Sequence, residues 1–410
     1  MEWIGQVPEH WKVARVKRLA SLRNERRNDV STDTIYIGLE DVEAGSGQYK
    51  PTNGSSRQSE DSTVGIFYEG DVLYGKLRPY LRKAIISEMA GCCSTEFLVL
   101  RAEKTEPRWL QEWLLTPDVT HQIVSGCEGA KMPRADWGHI GSIEVVYPDQ
   151  PEQAKILTSL DRETARIDAL VEKKTRFIEL LKEKRQALIT HAITKGLDPN
   201  AKMKDSGIEW IGQVPEHWKV ARVKRLASLR NERRNDVSTD TIYIGLEDVE
   251  AGSGQYKPTN GSSRQSEDST VGIFYEGDVL YGKLRPYLRK AIISEMAGCC
   301  STEFLVLRAE KTEPRWLQEW LLTPDVTHQI VSGCEGAKMP RADWGHIGSI
   351  EVVYPDQPEQ AKILTSLDRE TARIDALISK TEQSITLLKE RRAAFITAAV
   401  TGQIDLRGKQ

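Results

Sequence analysis

The sequence contains no run of 18 or more apolar residues and no basic amino-terminal stretch followed by an apolar one. From the first absence we expect no membrane-spanning helix, and from the second we expect no secretory signal peptide. Charged residues make up 29% of the chain and hydrophobic residues 39%, which is an ordinary balance for a protein in water. We therefore expect a cytoplasmic protein with no membrane partner.

Cysteine is scarce, with three in each half of the chain: Cys92, Cys93, Cys127, Cys299, Cys300 and Cys334. An odd number in each half, with two adjacent, does not suit a disulfide framework. No Cys-x-x-Cys pair or Cys/His spacing of the zinc-binding kind occurs. The sequence therefore predicts free thiols and no metal site.

Motifs that carry chemistry are also missing. There is no Gly-x-x-x-x-Gly-Lys-Ser/Thr for ATP and no Asn-Pro-Pro-Tyr or Asp-Pro-Pro-Tyr for adenine methylation. Glu172-Lys173-Lys174 resembles the end of a nuclease motif, but it falls in a long helical segment. His10, His121 and His139 have no evident nucleophile or metal partner. We predict that the chain contains no catalytic residue.

What the sequence does contain is a duplication. At an offset of 207 residues, every residue from Glu2 to Leu170 is identical to its counterpart from Glu209 to Leu377. Beyond Leu170 the match loosens without vanishing. A period this long indicates a complete folding unit in each copy, and identical surfaces suit a target that is itself two-fold. Two domains that are merely in tandem remain the alternative.

Charge is unevenly distributed, although the net charge is only −3. Seven basic residues and one acidic residue, Glu25, lie between positions 12 and 27: Lys12, Arg15, Lys17, Arg18, Arg23, Arg26 and Arg27. Acidic residues concentrate elsewhere, at Glu40, Asp41, Glu43, Glu60 and Asp61. A chain with one basic face and one acidic face is suited to binding DNA on one side.

The first 150 residues of the repeat alternate turn signals with short β-branched and aromatic runs, which predict strands in hairpins. The clearest runs are 34–39, 72–74, 84–86 and 96–100. Apolar spacing turns helical at 109–115, and 118–125 can form a second short helix. We therefore expect an α+β fold with a mostly antiparallel sheet in each copy.

After Pro151, the chain contains neither proline nor glycine until Gly196. Apolar residues recur at helical spacing through this segment, and Gly196 and Pro199 mark its end. Such a helix, about 70 Å long at 1.5 Å per residue, needs a partner helix. The second copy supplies one from Pro358 to Gly402. We expect the two to form an antiparallel, pseudo-two-fold coiled coil; burial of each helix against its own globular domain is the alternative. The predicted domains are 1–150, 151–200, 201–357 and 358–410.

Two loops in each copy are candidates for binding DNA. In the first, a strand runs into a basic, aromatic segment in which Lys76, Arg78 and Arg82 can neutralise phosphates or bond guanine edges. Tyr74 and Tyr80 can contact phosphate or sugar. In the second loop, glycine and proline project Lys131 and Arg134, with Trp137 as an anchor. Solvated basic loops remain the alternative for both.

Several segments together resemble the specificity subunit of type I restriction-modification systems. They are Trp3-Ile4-Gly5-Gln6-Val7-Pro8-Glu9-His10-Trp11, the segment from Gly75 to Leu81, the segment from Ser94 to Leu100, the Pro-x-x-Pro-Glu-Gln stretch at 148–153, the linker at 202–208 and the ending at 396–404. The resemblance extends over nearly the whole chain.

The resemblance implies two target-recognition domains that each bind half of a bipartite double-stranded DNA site, and two long helices that space them. It also implies docking of two modification subunits that carry S-adenosylmethionine and methylate adenine. A restriction and translocation subunit with ATP and magnesium can join them. The candidate DNA contacts are Lys76, Arg78, Tyr80, Arg82, Lys131, Arg134, Lys283, Arg285, Tyr287, Arg289, Lys338 and Arg341. The candidate docking residues are Leu181, Leu188, Leu388 and Phe395.

One departure from the family pattern has a consequence. Such subunits usually carry two different recognition domains, whereas here the two are identical, so we expect an inverted-repeat target with an unspecified spacer. A self-contained nuclease or methyltransferase, and a coiled-coil scaffold with no DNA role, are the alternatives.

Overall fold

The computed structural model describes residues 5–31, 33–52, 62–127, 131–238, 240–259, 269–334, 338–404 and 406. Trp3, Ile4, Glu60 and Asp61, which enter the sequence analysis above, and Gly129, the glycine of the second candidate loop, lie outside these ranges. The chain divides into two compact units, one of Met1–Thr175 with Glu382–Gln410 and one of Arg176–Thr381. Each unit thus holds one globular domain, the beginning of the long helix that follows that domain, and the end of the other long helix.

The first globular domain contains two four-stranded sheets, a strand pair and three short helices. Its strands are β1 (Lys12–Arg15), β2 (Ala20–Arg23), β3 (Arg26–Arg27), β4 (Tyr36–Ile37), β5 (Val64–Phe67), β6 (Val72–Gly75), β7 (Ala84–Ile86), β8 (Gly91–Cys93), β9 (Phe97–Ala102) and β10 (Glu144–Tyr147). Its helices are α1 (Pro107–Leu115), α2 (Pro117–Ser125) and α3 (Trp137–Ser142).

The sheet with strand order β2-β9-β6-β7 is antiparallel throughout and forms the centre of this domain. Side chains alternate across it, as the two-residue period of a strand requires. Val72 and Tyr74 join the core that contains Trp113 of α1. Leu73 joins the core that contains Phe67 of the second sheet. Strand β6 is therefore buried on both faces.

The second sheet has the order β3-β5-β8-β4, with β4 parallel to β8 and the other pairs antiparallel. Strand β1 pairs with β10 just before the first long helix begins, which ties the start of the domain to its end. The six cysteines, which all lie within the described residues, form no disulfide. Burial raises the pKa of the Cys93 and Cys300 thiols to about 12, so these thiols stay protonated at neutral pH.

The second globular domain repeats these elements and adds a hairpin in the linker. Its strands are β11 (Met203–Asp205), β12 (Gln213–Pro215), β13 (Lys219–Arg222), β14 (Ala227–Arg230), β15 (Arg233–Arg234), β16 (Tyr243–Ile244), β17 (Val271–Phe274), β18 (Val279–Gly282), β19 (Ala291–Ile293), β20 (Gly298–Cys300), β21 (Phe304–Ala309) and β22 (Glu351–Tyr354). Its helices are α5 (Pro314–Leu322), α6 (Pro324–Ser332) and α7 (Trp344–Ser349).

The long helices are α4 (Gln150–Lys195) and α8 (Gln357–Val400). The sequence explains both ends of α4. The Asp149 carboxylate accepts a hydrogen bond of 2.9 Å from the Glu152 amide in the first turn. After Lys195, Gly196 adopts a φ of 77°, the left-handed conformation that commonly terminates a helix. Neither helix, within the described residues, has the length and apolarity needed to cross a membrane.

In the first unit, the beginning of α4 packs against the end of α8. Ile156 of α4 and Val400 of α8 share a core with Trp11 and Trp109 of the globular domain, whose rings meet edge to face at 5.6 Å. Arg392 of α8 forms an ion pair of 3.0 Å with Asp168 of α4. Contacts between the start of one helix and the end of the other establish antiparallel packing.

The second unit uses the complementary halves. Ile189 and Ile193, near the end of α4, share a core with Ile363 of α8 and with Trp218 and Trp316 of the globular domain. An ion pair of 3.2 Å joins Arg185 of α4 to Asp375 of α8 and is the repeat-related counterpart of the one in the first unit.

The predicted fold class is confirmed: two repeated α+β domains with mostly antiparallel sheets and two long helices that pack together. Each long helix packs both against its partner helix and against a globular domain, so the two modes of burial proposed as alternatives occur together. The predicted domain boundaries stay predictions, and the two compact units divide each long helix between them.

Because each core takes a helix end from the other copy, a polypeptide of residues 1–207 cannot complete its own core as a monomer. We expect it to dimerise, with the end of each α4 packing on the identical globular domain of its partner. Light scattering coupled to size-exclusion chromatography should give twice the monomer mass. Ile189→Asp in the same polypeptide is the control, because a carboxylate at this buried position costs several kcal/mol and should abolish the dimer. A folded, stable monomer of residues 1–207 would contradict this account.

Candidate nucleic-acid interface

The first candidate loop leaves the central strand β6 at Gly75. A Cβ at Gly75 would lie 2.9 Å from the Leu39 side chain and 3.3 Å from Lys83 Cβ, so glycine permits the close packing there. The chain then forms a 3-10 turn, Pro79–Leu81. Because the loop grows directly from a strand buried on both faces, its position is fixed by the core of the domain.

Backbone hydrogen bonds join the two candidate loops. The Arg78 amide donates to the Pro133 carbonyl and the Ala135 amide donates to the Lys76 carbonyl, each at 2.9 Å. Leu77 and Arg134 form an antiparallel bridge between the loops. No local sequence signal predicts this pairing, because the loops are more than 50 residues apart. Together the two loops form what we call the basic face: Lys76, Arg78, Tyr80, Lys131 and Arg134.

The second unit contains the same arrangement. The Arg285 amide donates to the Pro340 carbonyl and the Ala342 amide donates to the Lys283 carbonyl, again at 2.9 Å. Leu284 bridges to Arg341. The equivalent basic face is Lys283, Arg285, Tyr287, Lys338 and Arg341.

The members of the basic face differ in how free their charges are. Arg78 and Lys131 are exposed and Lys76 is half-buried. The Arg78 guanidinium has no ion-pair or hydrogen-bond partner among the described residues. Arg134 forms an ion pair of 3.2 Å with Glu96, which also raises the pKa of its guanidinium. Arg78 is therefore the residue most available to a phosphate or a base edge. Arg134 would have to break its ion pair with Glu96 before it could bind DNA.

The backbone of Arg78 is left-handed, with a φ of 52°, and Arg82 at the other end of the 3-10 turn has a φ of 49°. Arg285 and Arg289 have φ values of 53° and 49°. They are the only described residues other than glycine with positive φ, a conformation that costs roughly 1 to 3 kcal/mol per residue. Glycine would relieve the strain, so the presence of arginine points to a use for the side chain.

Arg82 and Arg289 are half-buried, and their guanidinium groups have partners inside their own units. Arg82 Nη1 donates to the Leu115 carbonyl at 3.5 Å, and Arg289 Nη1 donates to the Leu322 carbonyl at 3.4 Å. These two arginines are thus less available to DNA than Arg78 and Arg285.

The tyrosines predicted to contact DNA differ in their exposure. Tyr80 is 50% exposed and Tyr287 is 49% exposed, so both are available for contact. The prediction for Tyr74 is wrong: its side chain is fully buried, because the face of β6 that carries it is covered by α1. An apolar member of the face escaped the sequence reasoning. Met132, between Lys131 and Pro133, is 52% exposed, and its counterpart Met339 is 54% exposed.

The basic segment from Lys12 to Arg27 does not act as one surface. Arg23 forms an ion pair of 2.8 Å with Asp71, which is almost fully buried, and its guanidinium lies 4.6 Å from the centre of the Tyr68 ring. Arg27 pairs with Glu25 at 2.9 Å. The remaining basic residues are exposed on two strands, β1 and β3, and on a 3-10 turn. Arg23 therefore holds two strands together and is not free to bind DNA.

The predicted docking residues are buried or half-buried. Leu181 is only 7% exposed, and Leu188 and Phe395 are half-buried against the core clusters of their units. Leu388 is half-buried. The exposed apolar side chains of the two helices are others: Leu170, Phe177, Leu180, Leu377 and Leu387.

Groups of three or more His, Cys, Asp or Glu side chains arranged to hold a metal do not occur among the described residues. Two of the three candidate histidines, His10 and His139, have structural partners. His10 lies 2.8 Å from a Glu152 carboxylate oxygen, and His139 Nε2 lies 2.8 Å from the Gln122 carbonyl oxygen.

Comparison with known proteins supports the resemblance found in the sequence. No family model matches the chain. The type I restriction enzyme EcoDI specificity subunit of Escherichia coli is 22% identical over 346 residues, which cover 80% of this chain and 74% of that protein. The resemblance to type I specificity subunits is confirmed.

Two solved structures share the fold. The HsdS subunit from Thermoanaerobacter tengcongensis aligns with a TM-score of 0.55 and 19% identity, over 97% of this chain and 98% of its own. A chain from a structure describing complex assembly and conformational transition of the type I R-M system aligns with a TM-score of 0.64 and 18% identity. That alignment covers 97% of this chain and 100% of the other.

We expect the combined substitutions Arg78→Gly and Arg285→Gly to weaken DNA binding without lowering the thermal stability of the protein. Glycine removes the left-handed strain, so thermal stability should be unchanged or raised by up to about 1 kcal/mol. Affinity for duplex DNA should fall, and its logarithmic salt dependence should drop by about 2, since each lost phosphate contact contributes roughly 0.9. Thermal unfolding and fluorescence anisotropy over a salt series measure the two effects. The matched control is lysine at both positions, which keeps the charge. DNA binding that survives the glycine pair intact would remove this loop from the interface.

Proposed function

We propose that this chain is the DNA-specificity subunit of a type I restriction-modification complex. The observation that carries the proposal is the basic face, present in each unit on a rigid strand end, with a strained arginine whose guanidinium has no partner among the described residues. Lys76, Arg78, Tyr80, Lys131 and Arg134, with their five counterparts, bind double-stranded DNA. Lysine and arginine here contact phosphates, and the forked donors of arginine can bond base edges.

The DNA site is bipartite, and its two halves are the same short sequence on opposite strands. Two observations support this. The globular domains are identical residue for residue, so their basic faces must prefer the same bases. The helices pack antiparallel in each unit, and the ion pairs Arg392–Asp168 and Arg185–Asp375 are repeat-related. Equivalent parts in a reciprocal arrangement favour a two-fold target, and the bases between the half-sites are not read.

The exposed stripe on the long helices docks two modification subunits, one on each helix. The stripe comprises Leu170, Lys173 and Leu180 on α4 and Leu377, Lys380 and Leu387 on α8. The helices have diverged beyond Leu170, and Phe177 faces Ser384 across the repeat, yet these lysines and leucines are the same in both. Leu180 is 47% exposed and Leu387 is 64% exposed, although exposure of a leucine side chain to water is unfavourable. Leu181, Leu188, Leu388 and Phe395, which are buried or half-buried, are further docking candidates on the same two helices.

Adenine methylation belongs to the modification subunits, which bind S-adenosylmethionine, and restriction with ATP and magnesium belongs to further partner subunits. This chain supplies sequence selection and spacing. The alternatives make different predictions. A self-contained nuclease or methyltransferase would convert DNA without partners, and a scaffold without a DNA role would show no salt-dependent DNA binding.

Methylation mapping in cells that express this chain with a modification subunit tests the function and the symmetry together. The expected result is N6-methyladenine in one inverted-repeat motif with an unspecified spacer. A non-palindromic bipartite motif would exclude the symmetric site while leaving the specificity role in place. If no new methylated motif is found and the purified protein does not bind DNA at low salt in vitro, the specificity role itself is excluded.

Docking can be tested with Leu180→Asp combined with Leu387→Asp. Because both side chains are exposed, the chain should fold normally and bind DNA as before, while co-purification of the modification subunit should fall at least tenfold. Leu197→Asp is the matched control, since Leu197 is 44% exposed but lies beyond the end of α4. If the variant with Leu180→Asp and Leu387→Asp co-purifies with the modification subunit as well as the Leu197→Asp control does, the stripe is not the docking surface.

A further inference from the structure

The two left-handed arginines of each basic loop differ in the surroundings of their side chains. Arg78 extends into solvent, while Arg82, four residues later, is half-buried and turned towards its own domain. Both carry the same backbone strain, so the strain at Arg82 also calls for a use of the side chain. The contacts of Arg82 indicate what that use is.

Arg82 joins three segments of the first unit. Its carbonyl accepts the Gly45 amide at 2.9 Å, and its Nη1 donates to the Leu115 carbonyl at 3.5 Å. A Cβ at Gly45 would lie 3.3 Å from Nη2, so the guanidinium rests on the glycine backbone. The loop at Gly45 is held in turn by Gln111 of α1, whose Nε2 donates to the Gly47 carbonyl at 3.1 Å.

The partner on α1 is well suited to a fixed cation. Leu115 is the last residue of that helix, and the last carbonyls of a helix lack partners within it. The partial negative charge of the helix end favours a guanidinium there. A planar fork can bond the carbonyl and still lie flat on Gly45, whereas a lysine ammonium offers a single point of contact.

The second unit extends the same connection to a long helix. Arg289 Nη1 donates to the Leu322 carbonyl and also to Oε1 of Gln186 on α4, both at 3.4 Å. In the first unit the residue equivalent to Gln186 is Ala393, which has no side-chain acceptor. The guanidinium therefore lies where the basic loop, helix α5 and the long helix meet.

We propose that Arg82 and Arg289 are positioning residues that fix the basic loop on the domain, and that they do not contact DNA. The inference rests on the proposed DNA-binding function and narrows it: of the two strained arginines in each loop, Arg78 and Arg285 meet the DNA, and Arg82 and Arg289 hold the loop in the shape that allows this.

The test compares charge-preserving variants, Arg82→Lys with Arg289→Lys against Arg78→Lys with Arg285→Lys. The probes are a duplex carrying the motif found by methylation mapping and a scrambled duplex of equal length. A positioning role predicts that the first pair lowers affinity for the motif at least tenfold, with the salt dependence and the binding to scrambled DNA unchanged. A phosphate contact instead predicts that lysine retains most of the affinity. That result, or a reduced salt dependence for Arg82→Lys with Arg289→Lys, would overturn the proposal.

A measurement without DNA separates this proposal from the proposed function. Amide hydrogen exchange of the free full-length protein should accelerate at residues 43–48 and 76–83, and at their counterparts, in the Arg82→Lys and Arg289→Lys variant. The Arg78→Lys and Arg285→Lys variant should exchange like the wild type. Equal exchange in both variants would overturn the positioning role. A wild-type protein that shows no salt-dependent DNA binding would overturn the function, whatever the exchange data.

Discussion

The structure depends on one packing constraint: the core of each unit is completed by the end of a helix that belongs to the other copy. Val400 of α8 lies with Trp11 in the first unit, and Ile193 of α4 lies with Trp218 in the second. A globular domain without such a helix end would expose two tryptophans and their neighbours to water. Because the helix ends are exchanged reciprocally, the antiparallel packing and the register of the helices are fixed by the same contacts that stabilise the domains.

That constraint explains where variation is tolerated within the repeat. The globular domains are identical, and so is the beginning of each helix. Beyond Leu170, half-buried positions keep apolar residues, as with Leu188 and Phe395, whereas the exposed Phe177 faces Ser384 in the other copy. Exposed leucines that do not change, Leu180 and Leu387, therefore stand out against their surroundings. Packing within the chain does not account for their exposure, which is why we propose them as part of a docking surface.

Much of the fold could be predicted because the decisive signals are local. Proline and glycine mark the ends of α4, and apolar spacing marks its length. The candidate interface was harder to predict than the fold, because its geometry depends on contacts between residues that are distant in the sequence. Tyr74 and Tyr80 have the same residue type and similar basic neighbours, but only the position of α1 determines that one is buried. Arg23 belongs to a basic run, yet Asp71, 48 residues away, neutralises it. Leu180 and Leu181 are adjacent in the sequence, yet the first is 47% exposed and the second is 7% exposed.

The identity of the two copies also has a consequence for inheritance. A recombination event that deletes one repeat length anywhere within the identical region always yields the same shorter chain, with one globular domain followed by the sequence of α8. Every contact needed by two such chains is already present in this structure, since the beginning of α8 packs in one unit and its end packs in the other. Two copies of the shortened chain could then re-form both cores, and each copy would keep the same basic face. The architecture is therefore buffered against the genetic instability that a perfect direct repeat creates.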